Sequence, residues 1–158
     1  MTGRRPALAV SLGSDAARVV AGALWLTEGI VKYRAGFGAA DILLVAGSAD
    51  GNGRAPSYLG PLAEAMRAAP GLFGGVVPAG EIALGVLLVA GALGRWAAFA
   101  SIGTLMLYWA SDHLIGQYPV MALLAAAVLL AGPTATVASI DALVRRHRVR
   151  RDDPVYRK

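Results

Sequence analysis

Three long apolar stretches follow one another with little interruption after Pro78: PAGEIALGVLLVAGAL, RWAAFASIGTLMLYWAS and YPVMALLAAAVLLAGPTATVASIDALV. A fourth, DAARVVAGALWLTEGIVKYR, occupies 15–34. A helix needs about 20 residues to cross the hydrocarbon of a bilayer, so each stretch can cross all or most of it. Hydrophobic residues make up 56% of the 158-residue chain and charged residues 16%, with a mean hydropathy of +0.57. That is too apolar for an ordinary soluble domain of this length. The sequence predicts an all-α integral membrane protein. Its single domain, 1–144, is a four-transmembrane-helix bundle with helices at about 15–34, 78–93, 95–111 and 118–144, and a basic tail follows at 145–158.

Local signals place the helix ends. Asp15 is a candidate cap for the first helix and Gly36 its stop. Only Gly94 and Arg95 separate the second and third, which reads as a tight hairpin. Pro133 predicts a kink or a loosened last turn in the fourth. Between the first two helices lies an extended outer loop, 36–77. Its DILLVAG run, 41–47, is too short to span and reads as an interfacial or re-entrant helix. SYLGPLAEAMRAAPGLF reads as a short amphipathic helix lying flat on the membrane. Leu62, Met66 and Ala69 form its apolar side, with Glu64 and Arg67 towards water. The tail after Val144 loses apolar periodicity and is expected to be solvated or held by lipid phosphates.

Arginine and lysine concentrate near both chain ends and at Arg95, whereas the intervening side carries Lys32, Arg34, Arg54 and Arg67. The positive-inside rule then puts both termini of a multi-pass membrane protein in the cytoplasm, and basic residues that are almost all arginine, beside abundant alanine and glycine, point to a GC-rich bacterial genome and hence to a bacterial plasma membrane. The short apolar run after Pro6 is not a cleavable leader, so the N-terminus is expected to stay attached. The net charge of +5 follows from topology rather than from nucleic-acid binding, since no aromatic-interleaved basic surface accompanies it. The chain has no cysteine, which excludes disulfides, thiol relays and cysteine-ligated metals. Phosphate-binding glycine loops, nucleophile elbows and paired histidines at helical spacing are absent from the sequence. No metal site and no covalently bound cofactor are expected.

The chemistry-bearing residues fall at one depth. On the first helix Glu28, about 9 Å below the outer end, forms an i,i+4 pair with Lys32. Glu81 is expected in the opening turns of the second helix, and Tyr108, Trp109, Asp112 and His113 at the outer end of the third. A charge at the centre of a membrane helix costs about 2.5 kcal/mol or more unless it is paired or hydrated. One reading is anchoring: Lys32 snorkels to headgroups with Glu28 beside it, Glu81 caps its helix behind Pro78, and the aromatics form an interface belt. The other is a pocket that holds the polar head of a quinone or lipid while its tail lies between helices. Asp112 and His113 read either as a proton-shuttling pair or as a solvated helix end. They make a poor metal site, because His147 lies at the opposite face.

These residues carry a resemblance. Arg18, Gly22 and the run EGIVK ending at Lys32 resemble the opening of the DoxX/DoxD family of small four-helix bacterial membrane proteins. GEIALGVLLVAGALGRWAAF, with Glu81, Gly85, Gly91 and Arg95, is similar to that family's glutamate-containing second helix and glycine-arginine turn. The resemblance covers the four apolar segments, and the long outer segment 36–77 is closer to the DoxD-like arrangement. It implies a membrane subunit of an oxidoreductase complex of the thiosulfate:quinone oxidoreductase kind, or a membrane partner of superoxide dismutase and a sulfurtransferase. The substrate-handling subunit would be a separate chain. Arg18, Lys32, Glu81 and Arg95 are the family-motif positions carried over.

Two main functions are therefore expected of the chain. The first is an accessory oxidoreductase subunit that binds a quinone or lipid near the outer face. The second is a non-catalytic scaffold within a larger membrane complex. Expected partners are membrane lipids, other protein subunits and, as a further option, a second copy of the chain. A lipid or small-solute transporter is a weaker third, because four crossings without an inverted repeat argue against it.

Overall fold

A computed structural model of the chain describes residues 4–50, 53–111, 115–132 and 138–152. Seven helices and no strand are present among them: α1 (Arg4–Arg34), α2 (Ala39–Gly47), α3 (Leu59–Ala68), α4 (Pro70–Ala90), α5 (Gly94–Ala110), α6 (Tyr118–Ala131) and α7 (Ile140–Asp152). Among the described residues two helices, α1 over Ala9–Arg34 and α4, are long and apolar enough to cross a membrane, and α6 is a shorter apolar helix. The surface of the bundle suits an apolar medium. Leu44, Leu72, Trp96, Phe99, Leu123 and Leu130 are exposed, whereas Arg18, Glu28, Lys32, Glu81 and Ser101 are buried. Large exposed apolar patches mark contact with lipid or another protein.

Several helix limits differ from those read in the sequence. α1 begins at Arg4, so Asp15 lies within it rather than capping it. No breaker follows Pro6, and proline is tolerated in a first turn. The Asp15 carboxylate instead accepts the Ala138 N–H (3.1 Å) and pairs with Arg18 (3.3 Å). α1 ends as expected at Gly36, whose φ of 72° is open to glycine. α4 starts at Pro70, eight residues before the proposed start, and runs on through Pro78. A proline at the first position suits a helix start. The internal one removes an N–H, yet the helix continues, with the Pro78 backbone packed against Gly29. Glu81 is consequently in the middle of α4, deeper than its expected place in the opening turns.

α4 stops at Gly91 (φ 65°), where Ala92 N–H donates to Leu87 O and Gly91 N–H to Leu88 O, both at 3.1 Å. This pairing satisfies carbonyls that the helix end would otherwise leave open. The tight turn is therefore 91–93, and Gly94 already belongs to α5. α6 stops at Ala131 because Gly132 (φ 79°) turns the chain away. The continuous fourth helix to 144 is thus two helices, and Pro133 lies outside the described residues. α7 starts where Ser139 Oγ accepts the Ala142 N–H (3.1 Å), an N-cap. The basic segment from Arg145, expected to be solvated or held by lipid phosphates, is helical as far as Asp152.

The core forms around α1, which packs on α4 and α6, with α5 against α6 and α4. α1 and α4 approach at glycines. A Cβ on Gly22 would stand 2.8 Å from Gly85 O, one on Gly85 2.8 Å from Gly22 O, and one on Gly29 2.8 Å from Pro78 O. Small residues allow this backbone contact. Ala21, Trp25, Leu88, Ala98, Met121 and Ala125 fill the space beside it. A smaller core joins α2 to α3 through Ile42, Ala46, Ala63 and Met66, with Phe73 and Val77 of α4 alongside. α3 buries Leu59, Ala63 and Met66, so its inward face is turned from the expected Leu62, Met66 and Ala69; Leu62 is half-buried. Its Arg67 donates to Ala46 O (2.9 Å) and pairs with Asp50 (2.6 Å).

Overpacking a tight core costs about 1–3 kcal/mol. Gly22→Ala and Gly85→Ala should each lower the unfolding midpoint of the purified protein accordingly. Gly103→Ala, where an added Cβ meets nothing within 4 Å, should not. Equal midpoints for all three would disprove the close α1–α4 contact.

Candidate functional site

Four helices bring polar side chains to one place inside this apolar bundle. α1 contributes Glu28 and Lys32, one turn apart and 3.3 Å from each other. Because glycines draw α4 onto α1, Lys32 Nζ also reaches Glu81, with which it forms a close ion pair. Tyr108 of α5 donates its hydroxyl to Glu81 Oε1 at 2.6 Å. From the start of α6, the Tyr118 hydroxyl lies 3.5 Å from Glu28 Oε2, and Gln117 just before it donates its side-chain amide to Glu28 Oε1. Lys32 Nζ stands 5.1 Å from the centre of the Tyr108 ring.

Burial makes this cluster consequential. Glu28, Lys32 and Glu81 are 8%, 9% and 1% exposed, so two carboxylates share one ammonium away from bulk water. Removing such ions from water is costly unless their remaining lone pairs and protons are satisfied. Three of the four carboxylate oxygens have partners, and Glu81 Oε2, fully buried, has none among the described residues. Deeper along α1, the Trp25 indole N–H donates to Ser101 Oγ (2.6 Å), and its ring meets Tyr108 edge-on at 6.2 Å between centroids. Tyr108 in turn packs on Tyr118 at 5.5 Å.

An apolar cleft of about 480 Å³ opens beside the cluster, between α4, α5 and the α2–α3 pair. Phe37, Ile42, Met66, Phe73, Leu84 and Leu107 supply its greasy walls, while Lys32, Glu81 and Tyr108 supply the polar one. Ligand sites of this type hold about 300–1,000 Å³ and combine apolar walls with a few converging polar groups.

Of the residues singled out in the sequence, Glu28, Lys32, Glu81 and Tyr108 come together. Trp109 does not: its side chain is 63% exposed and faces a second apolar hollow between α5 and the start of α6. Asp112 and His113 lie outside the described residues. Arg18 and Arg95 stand at the other end of the bundle. Arg18 is buried and donates to Leu88 O, Val89 O (2.7 Å) and Ala138 O (2.7 Å), closing the carbonyl end of α4. Arg95 is exposed beside α7. Sequence reasoning missed Gln117 and Ser101. Gln117 had a usable signal, since it directly precedes the fourth apolar run at the depth assigned to Glu28. No metal-binding group of His, Asp and Glu occurs among the described residues.

Comparison with protein-family models, with curated proteins and with solved structures returns no match.

Breaking a buried pair by removing one partner costs about 3–5 kcal/mol, because an uncompensated charge is left behind. Lys32→Met should destabilise the protein by that amount in chemical unfolding. Adding Glu28→Gln and Glu81→Gln to it should recover most of the loss. If the triple variant is no more stable than Lys32→Met, the three side chains do not form one electrostatic unit.

Proposed function

We propose that the chain is a DoxX-like integral membrane subunit of a bacterial oxidoreductase complex, of the thiosulfate:quinone oxidoreductase kind, which binds a quinone or lipid headgroup in the cleft beside Lys32, Glu81 and Tyr108. The observation that carries this reading is that Lys32, Glu81 and Tyr108 line an apolar cleft while the buried Glu81 Oε2 has no partner among the described residues. In the bilayer α1, α4, α5 and α6 are the four crossings, α2 and α3 lie at the outer face, and both termini are cytoplasmic. α6, with 14 residues, provides only about 21 Å of helix, so it is a short crossing.

The roles follow from donor and acceptor capacity. Lys32 and the Tyr108 hydroxyl supply protons to hydrogen bonds, so they suit the oxygen of a carbonyl head. Glu81 Oε2 accepts only, so it suits a hydroxyl. A quinone ring alternates between those two states, and one polar wall carrying both kinds of group accommodates each. Electrons would come from a partner chain that handles the oxidisable substrate, and the apolar walls would hold the isoprenoid or acyl tail. A second reading, a non-catalytic scaffold, is favoured by the near-complete internal satisfaction of Glu28 and Lys32.

A hydrogen bond to a charged group contributes about 1.5–3 kcal/mol, or roughly 10- to 150-fold in affinity. A short-chain quinol titrated into the detergent-solubilised protein, followed by intrinsic fluorescence, should therefore bind at least ten-fold more weakly to Glu81→Gln. Tyr108→Phe should weaken the quinone similarly, and Arg34→Gln should change neither. Lack of binding to the wild type, together with no quinone or lipid enriched in extracts of the native complex, would rule the site out. Partner proteins lost on deletion of 145–158, with Glu81→Gln harmless to the complex, would favour the scaffold.

A further inference from the structure

The polar wall of the cleft has acceptors to spare and few donors. Five polar side chains line it, and the hydrogens of three hydroxyls are already committed: Tyr108 to Glu81 Oε1 (2.6 Å), Thr104 to Ala100 O (3.0 Å) and Ser111 to Leu107 O (3.0 Å). The Lys32 ammonium directs two of its three hydrogens to Glu28 and Glu81. What remains is chiefly acceptor capacity: Glu81 Oε2, without a partner among the described residues, and the lone pairs of Thr104 and Ser111. An occupant that leaves these bonds intact must be a hydrogen-bond donor.

The charges make the same demand. Glu28, Lys32 and Glu81 form a row of carboxylate, ammonium and carboxylate, with 3.3 Å between the first two and a close ion pair between the last two. Glu28 is outside the lining of the cleft, and Glu81 ends the row within it. A cation beyond Glu81 continues the alternation, whereas an anion there meets a carboxylate. Phe37 and Tyr108 line the same cleft and already stand 6.0 and 5.1 Å from the Lys32 nitrogen, a placement in which ring faces attract ammonium groups. A primary ammonium joins positive charge to N–H donors in one small head, and it would meet Glu81 through a charge-assisted hydrogen bond. Oε2 is covered, so the carboxylate has to tilt towards the ligand, and the last torsion of a glutamate is soft. Ile42, Met66 and Leu84 offer apolar wall to a chain attached to that head. We infer that the cleft takes the primary ammonium of an amphiphile, the headgroup of an aminophospholipid, with Glu81 as its carboxylate partner. This rests on the cleft being the ligand site proposed above, and it names which lipid head enters.

Native mass spectrometry of the full chain, released from nanodiscs holding equal parts of phosphatidylethanolamine, phosphatidylcholine and phosphatidylglycerol, should show the first selectively retained. The choline head has the charge without the N–H groups, and the glycerol head has donors without the charge, so the two requirements are read separately. Glu81→Gln should cut the preference about ten-fold, the lower end for a hydrogen bond to a charged group. Glu64→Gln, exposed on α3 and off the lining of the cleft, should leave it unchanged. Millimolar ethanolamine that raises the thermal midpoint of wild type, and not of Glu81→Gln, with no lipid preference, would support the same carboxylate as a site for a soluble amine. Equal retention of the three lipids without an ethanolamine shift would overturn the inference, as would equal losses for Glu64→Gln and Glu81→Gln. Quinol binding that survives such a result removes the ammonium occupant alone, whereas its absence rejects the cleft as a site. Should Glu81→Gln fail to fold, the comparison of the three heads on the wild type carries the test.

Discussion

Backbone contact between α1 and α4 is the constraint on which the rest depends. Gly22 and Gly85 face each other's carbonyls, and Gly29 faces that of Pro78, so no side chain holds the two helices apart. Without that proximity the Lys32 side chain would not reach Glu81, and Arg18 would not reach the carbonyls that end α4. Each end of the helix pair thus carries its own polar tie, one of carboxylates around an ammonium and the other of a guanidinium around carbonyls. About 21 Å of helix separates Arg18 from Lys32 along α1.

The distribution of polarity is the reverse of that in a water-soluble bundle. Asp15, Arg18, Glu28, Lys32 and Glu81 occupy the inside, and Leu123, Leu130, Trp96 and Phe99 occupy the outside. In a surrounding as apolar as the side chains themselves, burial of apolar surface gives little drive for helices to associate. Close packing at glycines and interhelical polar bonds take over that role, and Trp25 to Ser101 is the clearest neutral example. The proposed function rests on the same fact, because three of the groups kept inside for cohesion, Lys32, Glu81 and Tyr108, also line the cleft. Among the described residues the cluster around Lys32 leaves hydrogen-bonding capacity at Glu81 Oε2, beside a cleft, whereas the capacity left at Arg18 Nε lies at the opposite end of α1 and α4.

Much of this arrangement was legible in the residues, for physical reasons that can be named. Apolar runs reverse direction at each polar break, so depth counting sets Glu28, Lys32, Glu81 and Tyr108 at one level, together with Trp109, which faces outward, and with Asp112 and His113, which lie outside the described residues. Helix ends were less legible. An aspartate before an apolar run reads the same whether it caps a helix or, like Asp15, serves a distant amide from within one. Pro78 looked like a beginning, because the missing N–H of a proline is tolerated inside a helix only through packing that no local signal reveals. α7 was hidden for a similar reason: its fixed position depends on Asp141 meeting a turn some 50 residues earlier.

The two polar ties have a mechanical consequence. Helices joined at one point can slide or scissor about it, but α1 and α4 are joined at both ends as well as along their glycine seam, and so form one stiff post. Compliance has to reside elsewhere. The wall of the cleft formed by α2 and α3 is held to itself by Arg67, through Ala46 O and the exposed Asp50, and meets α4 at its near end by the close approach of Gly74 to Gly38 and elsewhere through the apolar contacts of Ile42, Met66, Phe73 and Val77. Away from Gly74 that roof is the yielding side of the cavity, and a molecule filling the cleft would displace it before it disturbed the charges beneath.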